Sequence, residues 1–159
     1  MVDGYKNIQP TAIWLKEIRL DDSIERPLHC VQLSTGNFFS HLGSQSRVCI
    51  VDTSGQIIQS YGGSPGSDVR QLSNPYHLTA DIHDNVLIAD SQNHRVKLLC
   101  STLTYLGDIV VHSWSSNKLN CPFSLHFDEQ NHHLYIGKRS GHIFVLGVYV
   151  KANIKKNIM

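Results

Sequence analysis

Apolar residues recur along this chain with a period of two, in short runs broken by glycine, serine, asparagine and aspartate. In the middle of the sequence the runs are His77 to Asp81, Val86 to Asp90, Arg95 to Cys100 and Tyr105 to Val111. Such alternation puts every second side chain on one face of an extended strand, and no ten-residue window shows helical spacing. The turns Ile82 to Asn85 and Ser91 to His94 separate these strands. The same order comes earlier, at Leu28 to Leu33, Asn37 to His41, Arg47 to Asp52 and Gln56 to Tyr61. It comes again at Ser124 to Phe127, Leu134 to Gly137 and His142 to Val148, after which Lys151 to Lys156 stand where a fourth run belongs. Upstream, Ile13 to Leu20 alternates and breaks at Asp21-Asp22-Ser23, which predicts one more strand.

Two landmarks show that these groups are repeats. Pro27-Leu28-His29, Pro75-Tyr76-His77 and Pro122-Phe123-Ser124 open the three units at spacings of 48 and 47, and Arg47-Val48, Arg95-Val96 and His142-Ile143 recur at the same intervals. A period of about 40 to 50 residues signals a propeller or solenoid, and four antiparallel strands per unit make a propeller blade. The expected fold is therefore all-β, a partial β-propeller of about three four-stranded blades. These lie at about 27–62, 75–111 and 122–150, within a propeller portion 13–150. The strand 13–20 would end a preceding blade, 1–12 would be an N-terminal segment and 151–159 a basic tail. Gly62 to Asp68 falls where consecutive blades connect, so it marks no domain boundary. Three blades do not close a ring, for which about four to eight are usual. The chain is then a piece of a larger propeller, or a homodimer in which strand 13–20 of each copy fills the last blade of the other to give a six-bladed ring.

Asn74-Pro75-Tyr76-His77-Leu78-Thr79-Ala80-Asp81, with Val86-Leu87-Ile88-Ala89-Asp90-Ser91-Gln92-Asn93-His94-Arg95-Val96-Lys97, closely resembles the NHL repeat. In that family a proline opens the inner strand, and a strand ending in Ala-Asp precedes the Asn-His-Arg-Val step. The first unit keeps Pro27, Arg47-Val48 and Ser54-Gly55 but lacks Ala-Asp and Asn-His; the third keeps Pro122, Phe127-Asp128, Leu134-Tyr135-Ile136 and Ser140-Gly141-His142-Ile143. The resemblance implies a propeller, typically six-bladed, of the kind that ends tripartite-motif ubiquitin ligases and there recognises partner proteins or RNA stem-loops. Apart from the family, Asp90 and Arg95 flank a four-residue turn and Asn93 can tie its backbone, so these residues read first as a structural clasp.

Charge narrows the function classes. With 14 basic against 13 acidic residues the chain carries +1, which lacks the strong basic excess of a protein held mainly by phosphates. The longest apolar run, Ile143 to Val150, is far short of the roughly 20 residues of a membrane-spanning helix. The start, with Asp3, Gly4, Lys6, Asn7 and Pro10, lacks the order of a secretory leader, and there is no glycosylation sequon. The expectation is a cytoplasmic chain with four reduced cysteines.

Cys30, Cys49, Cys100 and Cys121 form no short-spaced pair, so no structural zinc site is expected, nor any other cofactor. Nucleophile elbow, phosphate loop, dinucleotide fingerprint and His-Glu-x-x-His are all missing, so the chain reads as a non-enzyme. A weaker resemblance is to the zinc-dependent peptidyl-amidating lyases, whose NHL-like propellers hold zinc with histidines near the centre. His29 and His77 lie two residues after their prolines but His126 lies four after, so two of three are in register.

In a propeller the connections from d to a and from b to c share one face, and loops on a rigid scaffold carry binding. Here that face would gather Arg26, His29, Gln45, Arg47, Tyr76, His77, Asn93, His94, Arg95, Phe123, Lys138, Arg139 and His142. Arginines and aromatics suit an acidic peptide, or single-stranded RNA through stacking and phosphate contacts. The first reading is a protein-binding propeller module, the alternative an RNA-binding one.

Overall fold

A computed structural model describes residues 15–42, 45–110 and 119–148. It holds eleven strands: β1 (His29–Gln32), β2 (Phe38–Leu42), β3 (Arg47–Val51), β4 (Ile57–Gly62), β5 (Pro75–Ala80), β6 (Val86–Asp90), β7 (Arg95–Leu99), β8 (Tyr105–Ile109), β9 (Pro122–Asp128), β10 (His133–Lys138) and β11 (Ile143–Gly147). They form three separate antiparallel sheets in chain order, β1 to β4, β5 to β8 and β9 to β11. This is the all-β partial propeller expected from the repeat, two blades of four strands and one of three, with the ring open. The tail 151–159 and the segment 1–12 lie outside the described residues.

The hydrophobic alternation explains how the blades stack. In β6 all five residues are buried because both faces are covered. Val86 and Ile88 join Phe39, Val48 and Ile50 of the first blade. Leu87 and Ala89 join Leu125, Leu134 and Ile136 of the third. A strand covered on both sides is apolar throughout, whereas β11, covered on one side, alternates between exposed and half-buried residues.

The backbone repeats more faithfully than the sequence. Turns between the first and second strands carry a left-handed residue at Gly36, Asp84 and His132. Those after the second strand do so at Ser46, His94 and Gly141, and the residues before the three prolines, Arg26, Asn74 and Cys121, do so as well. Leu103, the counterpart of Gly55, also has positive φ, an unfavourable conformation for leucine, offset by its burial between the first two blades. Aspartates fasten several turns: Asp52 accepts from the Ser54 and Gln56 N–H groups, and Asp81 from His83 and Asn85.

The strand expected over 13–20 does not form among its described residues: 15–21 have no regular structure. The stretch lies irregularly against the first blade, at the turn between β3 and β4, where its backbone bonds that turn and joins no strand ladder. Asp21 N–H donates to the Gly55 carbonyl at 2.9 Å and Lys16 Nζ to the Thr53 carbonyl at 2.9 Å. A side chain at Gly55 would strike the Arg19 carbonyl, and its φ of +91° independently demands glycine.

Candidate binding face

The upper face is built around a clasp in the middle blade. β6 ends at Asp90, fully buried, and a single 3₁₀ turn (Ser91–Asn93) leads to Arg95. Arg95 Nε lies 2.8 Å from Asp90 Oδ2 and its Nη1 2.9 Å from Asp108 Oδ2. Asn93 Nδ2 donates to Asp90 at 2.8 Å and to the Gly66 carbonyl at 2.7 Å, while the other Asp90 oxygen accepts the Ser73 N–H at 2.7 Å. The clasp therefore holds the loop from Gly63 to Asn74 as well as its own turn. Burial works against the Arg95 charge, but hydrogen bonds and attraction from Asp90 and Asp108 outweigh it and its pKa rises.

Lys97 extends the clasp into the interface between the first two blades, wholly buried. Its Nζ donates to the Val69 carbonyl at 2.9 Å, lies 3.5 Å from Asp108 Oδ1, and sits 4.7 Å from the centre of the Tyr105 ring and 5.9 Å from that of Tyr61. Burial pushes its pKa down, against the pull of Asp108. Tyr61 O–H donates to the same Val69 carbonyl. Burial raises the Tyr61 phenol to about 12, with Asp108 adding to the rise.

A second device links successive blades. Asn74 N–H donates to Ser46 Oγ at 3.4 Å, and Cys121 N–H donates to His94 Nδ1 at 3.1 Å. Ser46 and His94 are equivalent left-handed residues, and Asn74 and Cys121 are the equivalent residues before proline. His94 thus holds the entry to the third blade, with its proton on Nε2 in the neutral ring. His77 does the same one strand in, Nδ1 accepting the Leu125 N–H at 3.3 Å while its ring stacks 3.9 Å from His29. Burial lowers the His29 pKa.

The candidate residues fall into two groups. Asn93, His94, Arg95 and His77 make the scaffold contacts just described, and Arg47 Nη2 donates to the Ser23 carbonyl at 3.2 Å. Tyr76 and Phe123 pack against each other, ring centres 4.4 Å apart, with Phe123 41% exposed. Lys138 stands opposite Pro122 in the ladder, next to Phe123, with its Nζ 4.9 Å from the centre of the Phe144 ring. It leads into the exposed turn of Arg139 and His142, where Ser140 Oγ lies 3.2 Å from His142 Nδ1. The structure therefore gathers Tyr76, Phe123, Lys138, Arg139 and His142 at the second and third blades. The face also carries acids that a basic reading leaves out: Asp22, Glu25 and Asp68 are exposed on its connections, beside Arg26 and Arg70.

Among the described residues no three His, Cys, Asp or Glu side chains are grouped to hold a metal. His126 packs beside Tyr135, ring centres 6.1 Å apart, away from the His29–His77 pair. Ser46, Ser73, Lys97, Asp108 and Cys121 were not singled out by sequence. The period alone could have marked Ser46 and Cys121; a lysine in the core-facing alternation of β7 was the signal for Lys97.

No protein-family model matches the chain, and no curated protein matches it. Its shape is similar to solved structures. One, a protein of unknown function from Bacteroides thetaiotaomicron VPI-5482, superposes with a TM-score of 0.62 at 16% identity over 82% of this chain and 37% of the other. The WD40 β-propeller domain of Doa1 gives 0.55 at 13% identity over 74% and 35%. A protein of unknown function from Bacteroides caccae gives 0.54 at 19% over 67% and 36%. These likenesses establish the β-propeller fold, and the chain spans a little over a third of the length of each. Among the described residues no helix is long and apolar enough to cross a membrane.

Proposed function

We propose that this chain is a non-catalytic propeller module, of NHL type, that docks a protein partner on its upper face. The observation that carries the reading is the Tyr76–Phe123 pair at the openings of β5 and β9, flanked by Lys138 and the exposed Arg139 turn. Aromatic and arginine side chains are where binding energy concentrates. The resemblance of residues 74–98 to the NHL repeat supports target recognition in a cytoplasmic ubiquitin-ligase context, with the ring completed beyond this chain's three blades. Mixed charge favours protein over RNA, because Asp22, Glu25 and Asp68 would repel a phosphate backbone crossing the same face.

The test measures fluorescence anisotropy of the intact chain with an array of Asp- and Glu-containing peptides and with a single-stranded uridine-rich RNA. Tyr76→Ala with Arg139→Glu is expected to abolish peptide binding while circular dichroism stays unchanged. Unchanged peptide binding places the interface elsewhere. RNA binding that is tight and falls steeply with salt makes the alternative, an RNA-binding propeller, correct.

A further inference from the structure

Between β4 and β8, the last strands of the first two blades, lies a polar cleft of about 470 Å³, inside the small-molecule range of about 300–1,000 Å³. It is bridged at both ends. Below, Gln59 Nε2 donates across the blades to the Thr102 carbonyl at 2.9 Å; above, the Val69 carbonyl accepts from both Tyr61 O–H and Lys97 Nζ. A pit bridged in this way takes a compact molecule, whereas an extended peptide needs a groove open along its length. Hydroxyls dominate the lining, from Ser60, Thr102 and Thr104 together with the phenols of Tyr61 and Tyr105. Arg70 is the only charged side chain among the described residues that line it.

The fold positions Arg70 and makes no use of its side chain. The residue before it is fixed by two donors, and Arg95 Nη2 holds the carbonyl of the residue after it, Gln71, at 3.3 Å. Yet the guanidinium is exposed and, among the described residues, has neither a hydrogen bond nor an ion pair; the Ser60 hydroxyl is in the same position. The clasp beneath has no need of another cation, because Asp90 and Asp108 already balance Arg95 and Lys97. Arg70 is the surplus charge, and Asp68, two residues away on the same loop, does not line the cleft.

We propose that this cleft binds an acidic sugar, a hydroxylated ring bearing a carboxylate or a phosphate, with Arg70 on the anion and Ser60, Thr102 and Thr104 on the ring hydroxyls. Arginine meets either anion with two parallel hydrogen bonds. Serine and threonine hydroxyls both donate and accept, as sugar hydroxyls do, so each can pair with the ligand in either sense. Loop fixation by the clasp pre-organises Arg70, which lowers the cost of binding. The site is separate from the upper-face aromatic pair, since Tyr76 and Phe123 belong to the inner strands β5 and β9. Its failure would leave that reading untouched.

Titration of the full chain, followed by amide NMR, with sodium glucuronate, glucose-6-phosphate, glucose and inorganic phosphate tests the proposal. Glucuronate or glucose-6-phosphate should bind saturably with a dissociation constant of about 1 mM and shift the Gly62, Arg70 and Thr104 signals; the tighter of the two identifies the anion. Glucose lacks the anion and phosphate lacks the ring, so each should bind at least about tenfold more weakly. Arg70→Ala should weaken the acidic sugar at least about tenfold, and Arg70→Lys should recover part of the loss. Because the Arg70 side chain contacts no partner in the fold, both variants should leave the rest of the spectrum in place. Absence of saturable binding up to about 20 mM, glucose or phosphate binding as tightly as the acidic sugars, or an affinity indifferent to Arg70→Ala would each overturn the assignment.

Discussion

The first and middle blades share a period, a strand order and a set of turn conformations, yet among the described residues only the middle one carries an ion-paired clasp. Arg47 and Arg95 are equivalent, each at the start of its third strand, and face Leu42 and Asp90 respectively in the ladder. Arg95 meets two carboxylates, whereas Arg47 reaches a backbone carbonyl and its buried Nε has no hydrogen-bond partner among the described residues. Lys97 of the middle blade is replaced by Cys49 in the first. The comparison teaches that apolar alternation and hydrogen bonds between turns stack both pairs of blades, while the ion-paired residues serve a further task. They hold the loop Gly63 to Asn74, through Gly66, Val69, Gln71 and Ser73, in place between the two blades.

The largest expected effect follows from breaking the clasp at its centre. Asp90→Ala removes the acceptor of Arg95, Asn93 and Ser73 together and leaves a guanidinium only 11% exposed facing one remaining carboxylate. Removing one partner of a buried pair costs about 3–5 kcal/mol. Urea denaturation should show a loss of that size, and a loss below about 1 kcal/mol would mean that the clasp is solvated in solution. Arg95→Ala should cost less, about 1.5–3 kcal/mol, because Asp90 keeps two neutral donors. The counterpart Arg47→Ala should cost under about 1 kcal/mol, the worth of a single hydrogen bond. Equal losses from the two arginines would erase the distinction between the blades.

Much of the fold was legible because a period of two and a period of 48 are both written in side chains. Each of the eleven strands was anticipated to within a few residues, down to the turn at Ser91–Asn93. The misplaced strand at 13–20 shows where that legibility stops. Ile18 and Leu20 are spaced as in a strand and line an apolar cleft on the first blade, while Leu15 is 86% exposed; such spacing records only that one side of a segment meets apolar surface, which an irregular segment lying on a sheet also does. The clasp was legible in part: Asp90, Asn93 and Arg95 are close in sequence, and local partners can be read from spacing. Asp108 and Lys97 joined them through strand pairing, and Tyr61 through blade stacking. Such contacts leave no local trace. The left-handed residues Asp84, Leu103 and Cys121 were illegible for another reason. Their conformation is inherited from position in the repeat; aspartate tolerates it, but leucine and cysteine adopt it against their preference.

The smallest effect concerns pH, and it separates what the first blade contributes to the clasp from what the middle blade does. Tyr61 comes from β4, and burial holds its phenol at about 12 against an ordinary value of 10.0. Tyr105 is raised also, by burial and then by Asp108. For both, the folded chain keeps a proton that the unfolded chain has lost, so stability is complete below the ordinary phenol value and declines as pH climbs toward the folded one. Lys97 acts with the opposite sign, because its folded pKa lies below 10.5: stability rises as pH passes from that depressed value to 10.5, and the contribution is then finished. Arg95, the cation facing Tyr61, has its pKa raised by hydrogen bonds and attraction from Asp90 and Asp108 and stays charged across this window. Urea midpoints from about pH 9 to about pH 11.5 should therefore show little change at first and a fall above the lysine window. Tyr61→Phe should lose about 0.5–1.5 kcal/mol at neutral pH, with its hydrogen bond to the Val69 carbonyl, and should also show a shallower alkaline fall. If the fall keeps its slope in Tyr61→Phe, the alkaline sensitivity belongs to Tyr105 in the middle blade, and the first blade contributes to the clasp through packing alone.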